Sequence, residues 1–318
     1  MKGTLMNPQR MRVLLVVDGS NQAFEAVNYA GAMLPAARCE ITLFHVISKV
    51  PDAFWDMEND PVWRQKILTV RGWEKQQEHK IYDFMERARQ LLRKMGFSRD
   101  AVKVEIRERK AGIARDIVHE AESGYDSIMM GRKGQGTLEE FVLGSVASKV
   151  VGKLARRAVW VIGGKPEVGK ILIAMDPSEG AMRAADFAAR TLDGSAREIC
   201  LVHVVRGVTV CTEGLEDLFP EDYQRELLDE AKGAIQGTFQ AARERLIKAG
   251  IPGEKISTRV ITGATSRAGA VMDLARQGNF GTILVGRRGI SKVEAFDMGR
   301  VTNKLTQMAR DRALCIVG

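Results

Sequence analysis

The chain carries one pattern twice. Gly131-Arg132-Lys133-Gly134, nine residues and then Gly144-Ser145 return as Gly286-Arg287-Arg288-Gly289, nine residues and then Gly299-Arg300. The match runs in order along both halves: residues 12–20 against 170–178, 40–46 against 198–204, and 158–163 against 313–318. The offset is 158 residues at Asp18/Asp176 and 155 at Gly131/Gly286, so length changes fall in the connections. A duplicated chain must fold as two similar units, and halves of roughly 150 residues are long enough for separate cores. The turn-rich Gly163-Gly164-Lys165-Pro166-Glu167 marks a boundary, giving domains 1–164 and 165–318.

Each half alternates apolar runs with helical periodicity. The first reads strand 12–17, helix 20–34, strand 40–46, a long connection, helix 74–95, strand 102–107, helix 113–122, strand 126–131, helix 143–155 and strand 159–163. The second repeats this order. Continuous Val/Ile/Leu/Met strands between helices predict an α/β fold, two tandem doubly wound parallel sheets with helices on both faces. Ligands then sit beyond the carboxyl ends of the strands, where Asp18, Val46 and Gly131 fall. The terminal strands 159–163 and 313–317 are equivalent apolar edges, and their pairing would make the halves an internal pseudo-dimer. The connection 47–73 holds Phe54, Trp55, Trp63 and Trp73, as a lid or as a cover for apolar surface, whereas 205–221 is shorter and acidic.

At 45% hydrophobic and 28% charged residues the composition is that of a soluble globular protein. No apolar run reaches the roughly 20 residues of a membrane span, and no signal-peptide core opens the chain, so no membrane role is expected. Cys39, Cys200, Cys211 and Cys315 have no metal-ligand spacing and read as reduced thiols in a cytoplasmic protein. A net charge of +8 admits polyanions, but the basic residues are scattered along helices, which argues against nucleic acid.

The strand-end Asp18, the His45-Val46 pair and above all the string Gly131-x2-Gly134-x9-Gly144-Ser145 resemble the universal stress protein family, in a tandem form. The resemblance covers residues 12–318 and implies a flavodoxin-like, adenine-nucleotide α-hydrolase-like architecture with ATP in the half that keeps the string. By that resemblance Asp18 would take the ribose hydroxyls or assist a metal ion such as magnesium. Val17, Val46 and Met130 would line the adenine slot. The backbone amides of Gly131, Lys133, Gly134, Gly144, Ser145 and Val146 would cradle phosphates, with Arg132 and Lys133 adding charge. Read without the resemblance, Asp18 serves equally as a turn residue, and the apolar positions as plain core.

The second copy has Arg300 where the first has Ser145. Its guanidinium could fill the phosphate subsite by pairing with Asp176, or swing out and clamp an anion. Asp176, Val204, Gly286, Arg288, Gly289 and Gly299 form a weaker second site. Thr302 lies on another helix face and does not replace the serine. A P-loop is excluded because Thr137 stands where the lysine belongs, and there is no G-x-S-x-G elbow. His45 and His203 are equivalent strand-end residues with a structural role expected. The expectation is a regulatory ATP-binding protein with a protein partner, ATP ordering the loop 132–143, and room for a further homodimer. An interaction module without nucleotide and a slow ATP hydrolase are the alternatives.

Overall fold

The computed structural model describes residues 10–51, 54, 61–134, 143–192, 197–207, 221–290 and 297–318. Trp55, Cys211, the acidic Glu213, Glu216 and Asp217, and most of the loop 132–143 lie outside the described residues. The first half runs β1 (Met11–Val16), α1 (Asn21–Met33), β2 (Cys39–Ile47), α2 (Pro61–Lys94), β3 (Val102–Glu108), α3 (Ile113–Ala121), β4 (Ser127–Gly131), α4 (Ser145–Lys153) and β5 (Ala158–Ile162). The second follows as β6 (Lys170–Ala174), α5 (Glu179–Leu192), β7 (Glu198–Arg206), α6 (Glu221–Lys248), β8 (Ile256–Ala264), α7 (Arg267–Gln277), β9 (Thr282–Gly286), α8 (Arg300–Met308) and β10 (Ala313–Val317).

All ten strands form one sheet in the order β3-β2-β1-β4-β5-β10-β9-β6-β7-β8. Every neighbouring pair is parallel except β5 with β10, which is antiparallel. The expected pseudo-dimer is therefore a continuous sheet. Its register sets Cys315 opposite Trp160, its own repeat equivalent, as a two-fold axis through that pair demands.

Side-chain alternation feeds two cores. Val13, Leu15 and Val17 face one side of the sheet with α1, α2, α5 and α6; Leu14 faces the other with α3, α4, α7 and α8. Each core runs through both halves. At the junction Trp160 lies between Tyr29 and Phe187, with ring centroids 6.0 Å away on either side. Tyr29 Oη shares a 2.8 Å hydrogen bond with Thr282 of the other half, and burial pushes its pKa well up. Lys165 pairs with Glu25 at 3.0 Å, and Gln22 Nε2 donates to the Ile162 and Gly164 carbonyls at 3.1 and 3.3 Å.

One element departs from the sequence reading. The helix expected at 74–95 starts at Pro61, so much of the aromatic connection is helical. Proline suits a first helical turn, where its missing N–H has no partner to lose, and Ile67 begins the buried stripe that Ile81, Phe84, Met85, Ala88 and Leu92 continue.

Candidate functional site

The β1 carboxyl end turns at Asp18-Gly19-Ser20. Asp18 Oδ1 accepts from the Ser20 amide at 3.0 Å, and Ser20 Oγ caps α1 by accepting from Ala23 at 3.1 Å. On β2, His45 donates from Nδ1 to the Val17 carbonyl at 2.8 Å, which pins the two strand ends together. Burial pulls the His45 pKa down, against the charged ring. From β4 the chain passes through Gly131 to Gly134, and Gly144 then starts α4 without a capping side chain. The first-turn amides of α4, from Ser145, Val146 and Ala147, consequently face the cleft with the helix's positive end behind them.

These parts border one cleft of about 1050 Å³. All eleven residues singled out in the first half line it: Val17, Asp18, Val46, Met130, Gly131, Arg132, Lys133, Gly134, Gly144, Ser145 and Val146. A Cβ on Gly134 would collide with Asp18 Oδ2. The carboxylate thus lies directly against the glycine backbone, in the space that any side chain at this position would need.

Two details of the expectation need correction. The Arg132 guanidinium does not face the cleft. It is buried and crosses into the second half, donating from Nη1 to Thr306 at 2.6 Å and Ala309 at 3.4 Å, and from Nη2 to Gln307 at 2.9 Å. All three acceptors are carbonyls at the end of α8, whose last turn lacks partners of its own and attracts positive charge. The Gly144 amide is likewise engaged, donating to the Arg132 carbonyl at 3.0 Å. The cations that border the cleft are instead Lys133 and, on α2, Lys80 and Arg87, beside the acids Asp83 and Glu86.

Sequence reading missed the third wall. Trp73, Gln77 and Lys80 lie on one face of α2 and border the cleft, and Ile113 and Ile117 of α3 close its apolar end. The i, i+4, i+7 spacing was the available signal: Gln77 and Lys80 fall within the expected helix 74–95 and Trp73 just before it, but nothing in the spacing says which face of that helix meets the cleft.

The second cleft is about half as large, 510 Å³, and is bordered by Asp176, Val204, Gly286, Arg288, Gly289 and Gly299 with Arg267 and Arg300. Asp176 accepts from the Ser178 amide at 3.2 Å, from Ser178 Oγ and from the Ile290 amide at 3.3 Å. Among the described residues no ion pair joins Arg300 to Asp176, and Arg300 is exposed. Thr302 is committed elsewhere, its hydroxyl donating to the Gly286 carbonyl at 2.9 Å. The turn after β9 also sits tighter than its counterpart. Gly180 occupies the position of Gln22, and any side chain there would strike the Arg288 carbonyl. His203 repeats the His45 bond, to Met175 at 2.7 Å.

The family model described as the universal stress protein family matches residues 9–162 and matches again at 167–310. The chain belongs to the universal stress protein family. A Bacillus subtilis relative, universal stress protein YxiE, is 27% identical over 142 residues, 44% of this chain and 93% of the relative. The solved structure of a universal stress protein from Archaeoglobus fulgidus aligns with 96% of this chain and 97% of its own, at 18% identity and TM-score 0.64. Protein PA1789 from Pseudomonas aeruginosa aligns with 97% of this chain and 92% of its own, at 14% identity and TM-score 0.54. At these identities the two structures are matches of fold. Among the described residues, no helix is long and apolar enough to cross a membrane.

Proposed function

We propose that this universal stress protein is a regulatory adenine-nucleotide-binding protein divided into domains 1–164 and 165–318, with ATP held in the first. The observation that carries this reading is the size of the first cleft around its cradle: the Asp18 carboxylate against the Gly134 backbone and the uncapped start of α4, parts that the second half repeats at Asp176, Gly289 and Gly299, border about twice the volume found there. The three parts suit three parts of the ligand. Asp18 accepts from ribose hydroxyls, the amides of Gly134, Ser145 and Val146 donate to phosphate oxygens, and Val17, Val46 and Met130 present apolar surface to the base. Lys133 and Lys80 offset the phosphate charge. Among the described residues no group of three or more His, Cys, Asp or Glu could hold a metal. Magnesium would arrive on the phosphates, with Asp18 as a carboxylate in the same cleft.

Titration calorimetry of the full chain with ATP and magnesium, with mass spectrometry of small molecules released on denaturation, tests the reading. Saturation near 100-fold over Kd should stabilise the protein by about 2.7 kcal/mol. Gly144→Glu, which sets a carboxylate at the helix start, should bind nothing. If the wild-type protein gives neither heat nor a released nucleotide at millimolar ATP, the interaction-module reading replaces this one. Steady phosphate release lost on Asp18→Ala would favour the slow hydrolase.

The second cleft, lined by Asp176, Val204, Gly286, Arg288, Gly289 and Gly299, is the weaker site. Its smaller volume and tight turn argue against a nucleotide seated as in the first, while Arg267, Arg288 and Arg300 give it an anionic preference. A separate partner protein and a further homodimer remain part of the same proposal.

A further inference from the structure

The Arg132 contact has a mirror image. Arg287, the repeat equivalent, is also buried and crosses the other way, donating from Nη1 to Val151 at 2.8 Å and Leu154 at 3.3 Å, and from Nη2 to Gly152 at 2.9 Å. Those carbonyls close α4, the helix whose opposite end borders the first cleft. Each arginine is also fixed at its own backbone. Arg132 donates its amide to Ile162 at 2.7 Å and accepts from Gly144; Arg287 donates to Val317 at 2.7 Å and accepts from Gly299 at 2.9 Å. Each nine-residue helix, about 13 Å long, is thus gripped at its start by the glycine turn of its own half and at its end by the glycine turn of the other.

We propose that these crossed arginines couple the two clefts, so that a nucleotide held in the first alters the second glycine turn and the start of α8. The route is contiguous. A ligand on the amides of Ser145 and Val146 loads α4 along its axis, the Val151, Gly152 and Leu154 carbonyls pass the load to Arg287, and Arg287 is part of the turn that borders the second cleft. Arg132 carries a second path in the same direction, from the turn 131–134 to α8. A planar guanidinium with several donors holds three carbonyls in fixed relation; a lysine ammonium keeps the charge but cannot span them. Coupling of this kind is reciprocal, so an anion in the second cleft would shift nucleotide affinity in the first by the same factor. This inference rests on the nucleotide reading of the first cleft.

Hydrogen exchange of the full chain with and without saturating ATP and magnesium, run beside calorimetry, tests both separately. Wild-type protein should show slower exchange at 145–148 and, through the coupling, at 286–290 and 300–303, by about fivefold or more. In Arg287→Lys the protection at 145–148 should remain and that at 286–290 should vanish. Arg132→Lys provides the second, independent variant, read at 300–303. Binding heat with unchanged exchange at 286–290 and 300–303, or changes there that survive both lysine variants, would overturn the coupling while leaving the nucleotide reading intact. No binding heat at all overturns the nucleotide reading and removes the ligand on which the coupling depends.

Discussion

At Gly134 the space for one methyl group already belongs to the Asp18 carboxylate. Gly134→Ala must therefore push aside the end of a short, movable side chain, which costs the fold less than about 1 kcal/mol but misplaces the ribose acceptor. Calorimetry should show ATP affinity down tenfold or more with a nearly unchanged denaturation midpoint. A second residue-scale prediction concerns the halves' mismatch at the junction. Tyr29 shares a hydroxyl–hydroxyl bond with Thr282, but its equivalent is Phe187, and Ser127, equivalent to Thr282, has a buried Oγ with no partner among the described residues. Phe187→Tyr should supply that partner and raise stability by about 1 kcal/mol in urea titration. The glycines could be picked out from their repeated spacing, and Asp18 from its strand end together with the family resemblance. What Arg132 does could not, because a cation beside a phosphate-binding string has an obvious reading. The counter-signal was its repetition: arginine follows the strand-end glycine in both copies, including the copy whose string is broken.

The short helices α4 and α8 depend on contacts outside their own halves for their last turns. Arg287→Met would leave the Val151, Gly152 and Leu154 carbonyls at a buried helix end without donors, and loss of charged hydrogen bonds of this kind costs about 2–4 kcal/mol. The expected result is a clear fall in the urea midpoint, and a somewhat smaller one in Arg132→Met, because Arg132 grips three matching carbonyls but lacks the Nε bond that Arg287 makes to Asp297. Element identity was readable where apolar runs were long, as in β2 and β7, or where Ser20 marked a helix start. The beginning of α2 was not, since a proline such as Pro61 fits the first turn of a helix and a break in the chain equally well.

As a whole molecule the protein has two cores, one on each face of the sheet, and both cross the β5–β10 seam. Unfolding should consequently follow one cooperative transition, with fluorescence of Trp160 at the seam and far-ultraviolet dichroism giving coincident curves. A fragment of residues 1–164 would expose β5 as an unpaired apolar edge, and light scattering should find it dimeric or aggregated. The seam's pairing was inferable from the matching terminal strands; its asymmetry was not. Trp160 faces Cys315, Tyr29 answers to Phe187, and Ser145 to Arg300. A dimer of identical chains meets every change at its axis in duplicate, so a tryptophan there must fit against another tryptophan. Joined in one polypeptide, the two sides are released from that rule: bulk can be placed on one and room left on the other, and one cleft can drift while its twin keeps its shape.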